Sequence, residues 1–104
     1  LFDGFSALIA DAPEILFVIA AGNANQDLDF VRTLPGSINL PNVLSVASVD
    51  ATGVLSTFAS TGPSVDLHAP GEHIEALVPG GGRIRTSGSS LSAPQVANAA
   101  AQVL

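Results

Sequence analysis

The chain has 104 residues, 47% hydrophobic and only 12% charged, with three Lys+Arg against nine Asp+Glu and a net charge of −6. Phosphate recognition needs a basic footprint, so a nucleic-acid partner is excluded; no apolar run is long enough to span a bilayer, which excludes a membrane helix. With no Cys, disulfides, thiolate metal sites and Cys nucleophiles are excluded as well.

So apolar a composition in so short a chain suggests an interior piece of a larger protein, as does the absence of Met. Residues 1–104 are expected to form one partial domain, truncated at both ends. Its apolar faces are then expected to self-associate when the chain is alone.

Residues 1–12 place Leu1, Phe2, Phe5, Leu8 and Ile9 at helical spacing, and Pro13 ends the pattern. Residues 15–21 are continuously apolar and stop at Gly22, the signature of a buried parallel strand. Asn23 follows at the C-terminal edge, where open α/β sheets place their sites. Residues 24–42 read as a long surface connection. Residues 43–49 predict a second strand and residues 65–68 a short third one, with turn and loop between. Residues 73–78 and 83–87 predict a hairpin around Pro79-Gly80-Gly81-Gly82. A last helix is expected from Ser90 to Leu104, with Pro94 in its first turn, where a missing N–H costs little.

The chemistry concentrates in Gly88-Ser89-Ser90-Leu91-Ser92-Ala93-Pro94-Gln95-Val96-Ala97. A turn of small residues feeds Ser90 onto a helix N-terminus, which offers unpaired N–H groups and partial positive charge. A Ser there can attack a carbonyl while nearby N–H groups hold the oxyanion. Read alone, the same Ser could equally be a helix cap.

Three further motifs precede it in order: Ala20-Ala21-Gly22-Asn23, Ser56-Thr57-Phe58-Ala59-Ser60-Thr61-Gly62, and Val65-Asp66-Leu67-His68-Ala69-Pro70-Gly71. Together with the Ser90 segment, this set resembles the subtilisin-like serine protease family across nearly the whole chain. The resemblance implies an α/β fold: part of a three-layer sandwich with a mostly parallel sheet, a C-terminal hairpin and a helix. It implies that Ser90 is the nucleophile and that Asn23 donates its amide to the oxyanion. Ala20, Ala21 and Gly22, with Gly88 and Ser89, would bind substrate. Relatives often carry a cis proline where Leu34-Pro35-Gly36 stands; here cis and trans both stay open. Ser89 replaces the usual Thr and Leu91 the usual Met, while Gln95 and Asn98 stand where many relatives have His and Gly. Pro94-Gln95-Val96 and residues 78–81 are similar to bacterial branches.

A subtilase triad runs Asp, His, Ser along the chain. With Ser90 so near the end, the Asp and His are expected before residue 1. His68 and His73 lack the family's His-Gly-Thr context and read as ordinary loop histidines. Asp66 reads as a structural group in a buried strand. Asp27, Asp29 and Asp50 flank loops, yet no metal residue is assigned and no cofactor is expected in this piece; calcium is left open for the parent. The parent would hydrolyse polypeptides and, by family resemblance, be secreted or held in the cell envelope. Without a base the piece itself is expected to be inactive. Two alternatives remain: a truncated or decayed relative serving as a structural or interaction module, and an α/β-hydrolase. The latter fails because residue 92 is Ser where its elbow needs Gly, and no His follows Ser90.

Overall fold

The structure, a computed structural model, describes residues 2–103. In chain order it comprises α1 (Phe2–Ala10), β1 (Phe17–Ala20), β2 (Val43–Val49), β3 (Leu67–Pro70), β4 (Ile74–Leu77), β5 (Arg83–Thr86) and α2 (Ser89–Val103). Leu1 and Leu104, predicted at the helix ends, lie outside the described residues.

β2 is the central strand of a parallel sheet ordered β1-β2-β3. Phe17 pairs with Val43 on one side and Val46 with Leu67 on the other. Its sequence, Val-Leu-Ser-Val-Ala-Ser-Val, is buried at every position except Leu44, as a strand covered on both faces should be. Side chains alternate between the faces. Val18, Ala20 and Val46 meet Ala93 and Val96 of α2, along with Ala69. Phe17, Ile19 and Val43 meet Phe2 and Ile9 of α1, with Ile38 and Leu40. The result is three layers, α1 on one face and α2 on the other.

Both outer strands differ from the sequence prediction. β1 starts at Phe17, not at residue 15, because Phe17 N–H first finds a partner at the Asn42 carbonyl, 2.8 Å away. Ile15 turns back instead, its N–H donating to Ala12 O at 3.0 Å. β3 occupies 67–70 rather than 65–68. Asp66 explains the shift: its N–H donates to Ser45 O, while its carboxylate accepts from Ser45 N–H at 2.9 Å. That carboxylate takes the β2 donor a strand carbonyl would use, so the ladder starts one residue later. Asp66 is exposed rather than buried, because β3 is an edge strand among the described residues. Pro70, lacking an N–H, is tolerated at such an edge.

The helix α1 ends at Ala10, where Asn42 Nδ2 donates to Ile9 O and Ala12 O at 3.0 Å each. The connection 24–42 runs over the surface but is anchored by Leu28 and Ile38, each 1% exposed. Within it the Leu34–Pro35 bond is cis. β4 and β5 form the expected antiparallel hairpin, Ile74 opposite Thr86 and Leu77 opposite Arg83. Pro94 falls inside α2, beyond its first turn, because the helix begins at Ser89. The missing N–H therefore leaves the Ser90 carbonyl without its intrahelical partner.

Candidate active site

Parallel strands end on one edge of a sheet, and three segments converge there. β1 runs into Gly22-Asn23, β3 into Gly71, and α2 begins at Ser89. Ser89 staples the first to the third. Its N–H donates to Asn23 Oδ1 at 2.8 Å, and its Oγ accepts from Gly22 N–H at 3.2 Å. Gly22 makes this approach at φ +122°, a conformation L side chains rarely adopt. A methyl group there would also sit 3.1 Å from Ser60 Oγ.

The Ser89 bond settles which way the Asn23 amide faces. Amide orientation follows from the hydrogen-bond network. With Oδ1 engaged by Ser89, Nδ2 is the end turned towards Gly88. Gly88 lies at φ +153° and carries no side chain, which leaves a notch. A methyl group placed in that notch would lie 3.3 Å from Asn23 Nδ2 and 3.5 Å from Ser90 Oγ. The Asn23 amide and the Ser90 hydroxyl thus border the same small volume. Ser90 and Asn23 are both exposed, while Gly88 and Ser89 beneath them are buried. Gly88 O accepts from Leu91 N–H at 3.0 Å, closing the first turn of α2. The first N–H groups of a helix lack intrahelical partners, and among the described residues nothing accepts from Ser90 N–H at this edge.

Ala20 and Ala21 belong to the same edge but point their methyls into packing. Ala20 sits against Val46, Ala69 and Ala93; Ala21, 1% exposed, packs with Leu28, Ala47 and Val65. Ala21 can therefore meet a ligand only through main-chain atoms, whereas Ala20 stays partly exposed. Gly36 confirms how close the backbones come here, since a methyl on it would run into the Ala21 carbonyl.

Sequence reading missed the supports. Loop 56–62 lies alongside Gly22-Asn23: Ser60 N–H donates to Gly22 O at 3.0 Å and Asn25 N–H to Phe58 O at 2.9 Å. Gly71 O accepts from Gly88 N–H at 2.7 Å. Ser92 Oγ and Gln95 Nε2 both donate to Pro70 O, at 3.2 and 2.6 Å. The unusually serine-rich motifs were the available signal, because buried hydroxyls need partners.

Among the described residues, no hydrogen bond joins an imidazole to Ser90. His68 lies in β3 opposite Ala47, and His73 N–H donates to Ser87 Oγ at 3.0 Å. Two of the loop aspartates close turns of their own. Asp27 Oδ1 accepts from Asp29 N–H at 2.9 Å, and Asp50 Oδ1 closes its own turn with Thr52 and Val54. Among the described residues, no cluster of three or more potential metal-ligating side chains gathers.

This architecture recurs in solved structures. The family model for the subtilase family matches residues 3–104. The chain is 40% identical over 90 residues to the subtilisin-like serine protease Pen ch 13 of Penicillium rubens, covering 86% of this chain and 22% of that protein. It is 42% identical over 86 residues to subtilisin-like protease 1 of Trichophyton verrucosum, covering 83% of this chain and 21% of that protein. Both relatives are fungal. Among solved structures, a cold-adapted subtilisin-like serine proteinase superposes with a TM-score of 0.88 at 33% identity, covering 98% of this chain and 37% of that one. A patellamide maturation protease gives 0.81 at 34% identity, covering 95% and 36%. The chain thus spans about a fifth of these curated relatives, and it belongs to the subtilase family.

Proposed function

We propose that the protein carrying this chain is a serine endopeptidase in which Ser90 is the nucleophile. Ser90 Oγ attacks the scissile carbonyl carbon and loses its proton to a base from outside residues 1–104. The carbonyl oxygen becomes an oxyanion held by Ser90 N–H and Asn23 Nδ2. The C–N bond then breaks, the leaving amine takes the proton from the base, and water later releases the acyl group from Ser90. The observation that carries this reading is the notch at Gly88, bordered by Asn23 Nδ2 and Ser90 Oγ at 3.3 and 3.5 Å. A donor and a nucleophile placed around one small volume suit a tetrahedral intermediate.

Residues 1–104 are then the nucleophile-bearing part of a longer peptidase domain. Polypeptide is the substrate, and family membership supports secretion or cell-envelope residence. Gly22, Gly88 and Ser89 shape the floor on which the substrate carbonyl sits. The isolated chain is inactive for want of a base.

Labelling with a fluorophosphonate probe tests this. The full-length protein should react, its Ser90→Ala variant should not, and the isolated chain should not. Labelling of the isolated chain at Ser90 would mean that a base lies within it. Persistent labelling of the Ser90→Ala full-length protein would assign the nucleophile elsewhere. Asn23→Ala should lower kcat by about a hundredfold to a thousandfold, a figure that comes from subtilisin itself and is carried over to this chain.

A further inference from the structure

Beneath the Gly88 notch lies a chain of hydroxyls that ends in a carboxylate. Ser48 in β2 is fully buried, and Ser56 is 4% exposed. Their Oγ atoms are 2.8 Å apart, and Ser56 Oγ donates to Glu72 Oε2 at 2.6 Å. An ionised carboxylate only accepts, so Ser56 must spend its proton on Glu72 and accept from Ser48. The direction of both bonds is thereby set. The 2.6 Å bond falls in the short range of charge-assisted O–H···O⁻ pairs.

Glu72 adjoins Gly71, and Gly71 carries the nucleophile turn. Gly71 N–H donates to Val49 O at 3.0 Å, and Gly71 O accepts from Gly88 N–H at 2.7 Å. A methyl on Gly71 would run into Ser48 Oγ and Ser92 Oγ and lie 2.8 Å from Gly88 O. There is no slack between the hydroxyl chain and the turn. The Glu72 side chain ties this segment, through Ser56 and Ser48, to the most buried strand of the sheet.

We infer that Glu72 and Ser56 are positioning residues for the hydrolytic reaction: through Gly71 they set the height of the Gly88 turn, and with it the placement of Ser90 Oγ and Ser90 N–H. The inference rests on the proposed role of Ser90. It concerns kcat, because the affected atoms are those that meet the transition state, while Glu72 acts through Ser56 and Gly71. The carboxylate acts as an acceptor, so Gln can substitute through its amide oxygen.

The test uses the full-length protein with Glu72→Ala, Ser56→Ala, the double variant and Glu72→Gln. Each is titrated with fluorophosphonate, so that rates refer to reactive sites and misfolded protein is not counted. Glu72→Ala and Ser56→Ala should each lower kcat by roughly tenfold at unchanged KM, since ångström-scale misplacement of reacting groups costs up to about a hundredfold. The double variant should be no worse than either single one, because both cut the same chain. Glu72→Gln should stay within about twofold of the native rate, with one acceptor for the Ser56 hydroxyl retained. An unchanged kcat per titrated site with only a lower Tm would overturn the inference and leave the chain a plain fold support. A rise in KM alone would overturn it too, by making Glu72 a substrate contact. If Ser90 of the native protein takes no probe, the proposed function falls, and this inference with it.

Discussion

The two faces of the central sheet are closed to different degrees, and the candidate site sits over the tighter one. Towards α2 the contacts are made by Val46, Ala69 and Ala93, all under 9% exposed. Small side chains let the helix backbone come close, and glycines at 71 and 88 bring two loops into direct hydrogen bonding. Towards α1 the side chains are large but incompletely covered. An open apolar groove of about 310 Å³ lies there, lined by Phe5, Leu8, Ile9, Phe17, Ile19 and Pro35. The α2 face is thus closely packed where the helix meets the sheet, while the α1 face keeps an open apolar groove. The closest packing thus lies under the candidate site, and the looser packing lies on the opposite face.

The sharpest break should come from Gly71→Ala. Its methyl has no room between Ser48, Ser92 and Gly88. Overpacking of this kind should cost about 3 kcal/mol or more, read as the urea midpoint of the full-length protein. A midpoint within error of the native one would mean that this face has hidden slack. Next in size is Val46→Ala, at a position with 0% exposure. It should cost about 2 kcal/mol through lost burial and the cavity left behind.

The α1 face should respond in another currency. Leu8 is 73% exposed, so Leu8→Glu should change stability by less than about 0.5 kcal/mol. It should instead alter association: the isolated chain should sediment as larger species at high concentration, and Leu8→Glu should shift it towards monomer. A native chain that stays monomeric at high concentration would sink that expectation.

The smallest effect belongs to the turn after β2, remote from both faces. The Thr52 hydroxyl, followed by the Val54 and Thr52 amides, holds the Asp50 carboxyl below its ordinary value of 3.8. A lowered folded pKa favours the folded turn above the unfolded value, and this contribution disappears as pH falls through the lowered one. Amide exchange at Thr52 and Val54, corrected for its intrinsic pH dependence, should therefore show lost protection below about pH 4. Asp50→Asn should flatten that dependence.

Much of the fold was legible because periodicity and punctuation agree with the tertiary outcome. The apolar run before Gly22, the stretch 43–49, the Pro-Gly-Gly-Gly hairpin tip and the Ala-rich last helix all became the expected elements. The ordered motifs also brought Ser90 and Asn23 forward as candidates, and the structure places their side chains around one notch. What sequence alone could not decide were events between distant segments. The ends of β1 and β3 depended on where Asn42 and Asp66 met their partners. The direction of the Asn23 amide depended on Ser89, far along the chain. Glu72 stands in no motif of the sequence, and only the fold sets Ser56 against it. Local patterns report what one segment can form. Hydrogen-bond partners and the clearance around a glycine are properties of two or more segments at once, and only the assembled structure specifies them.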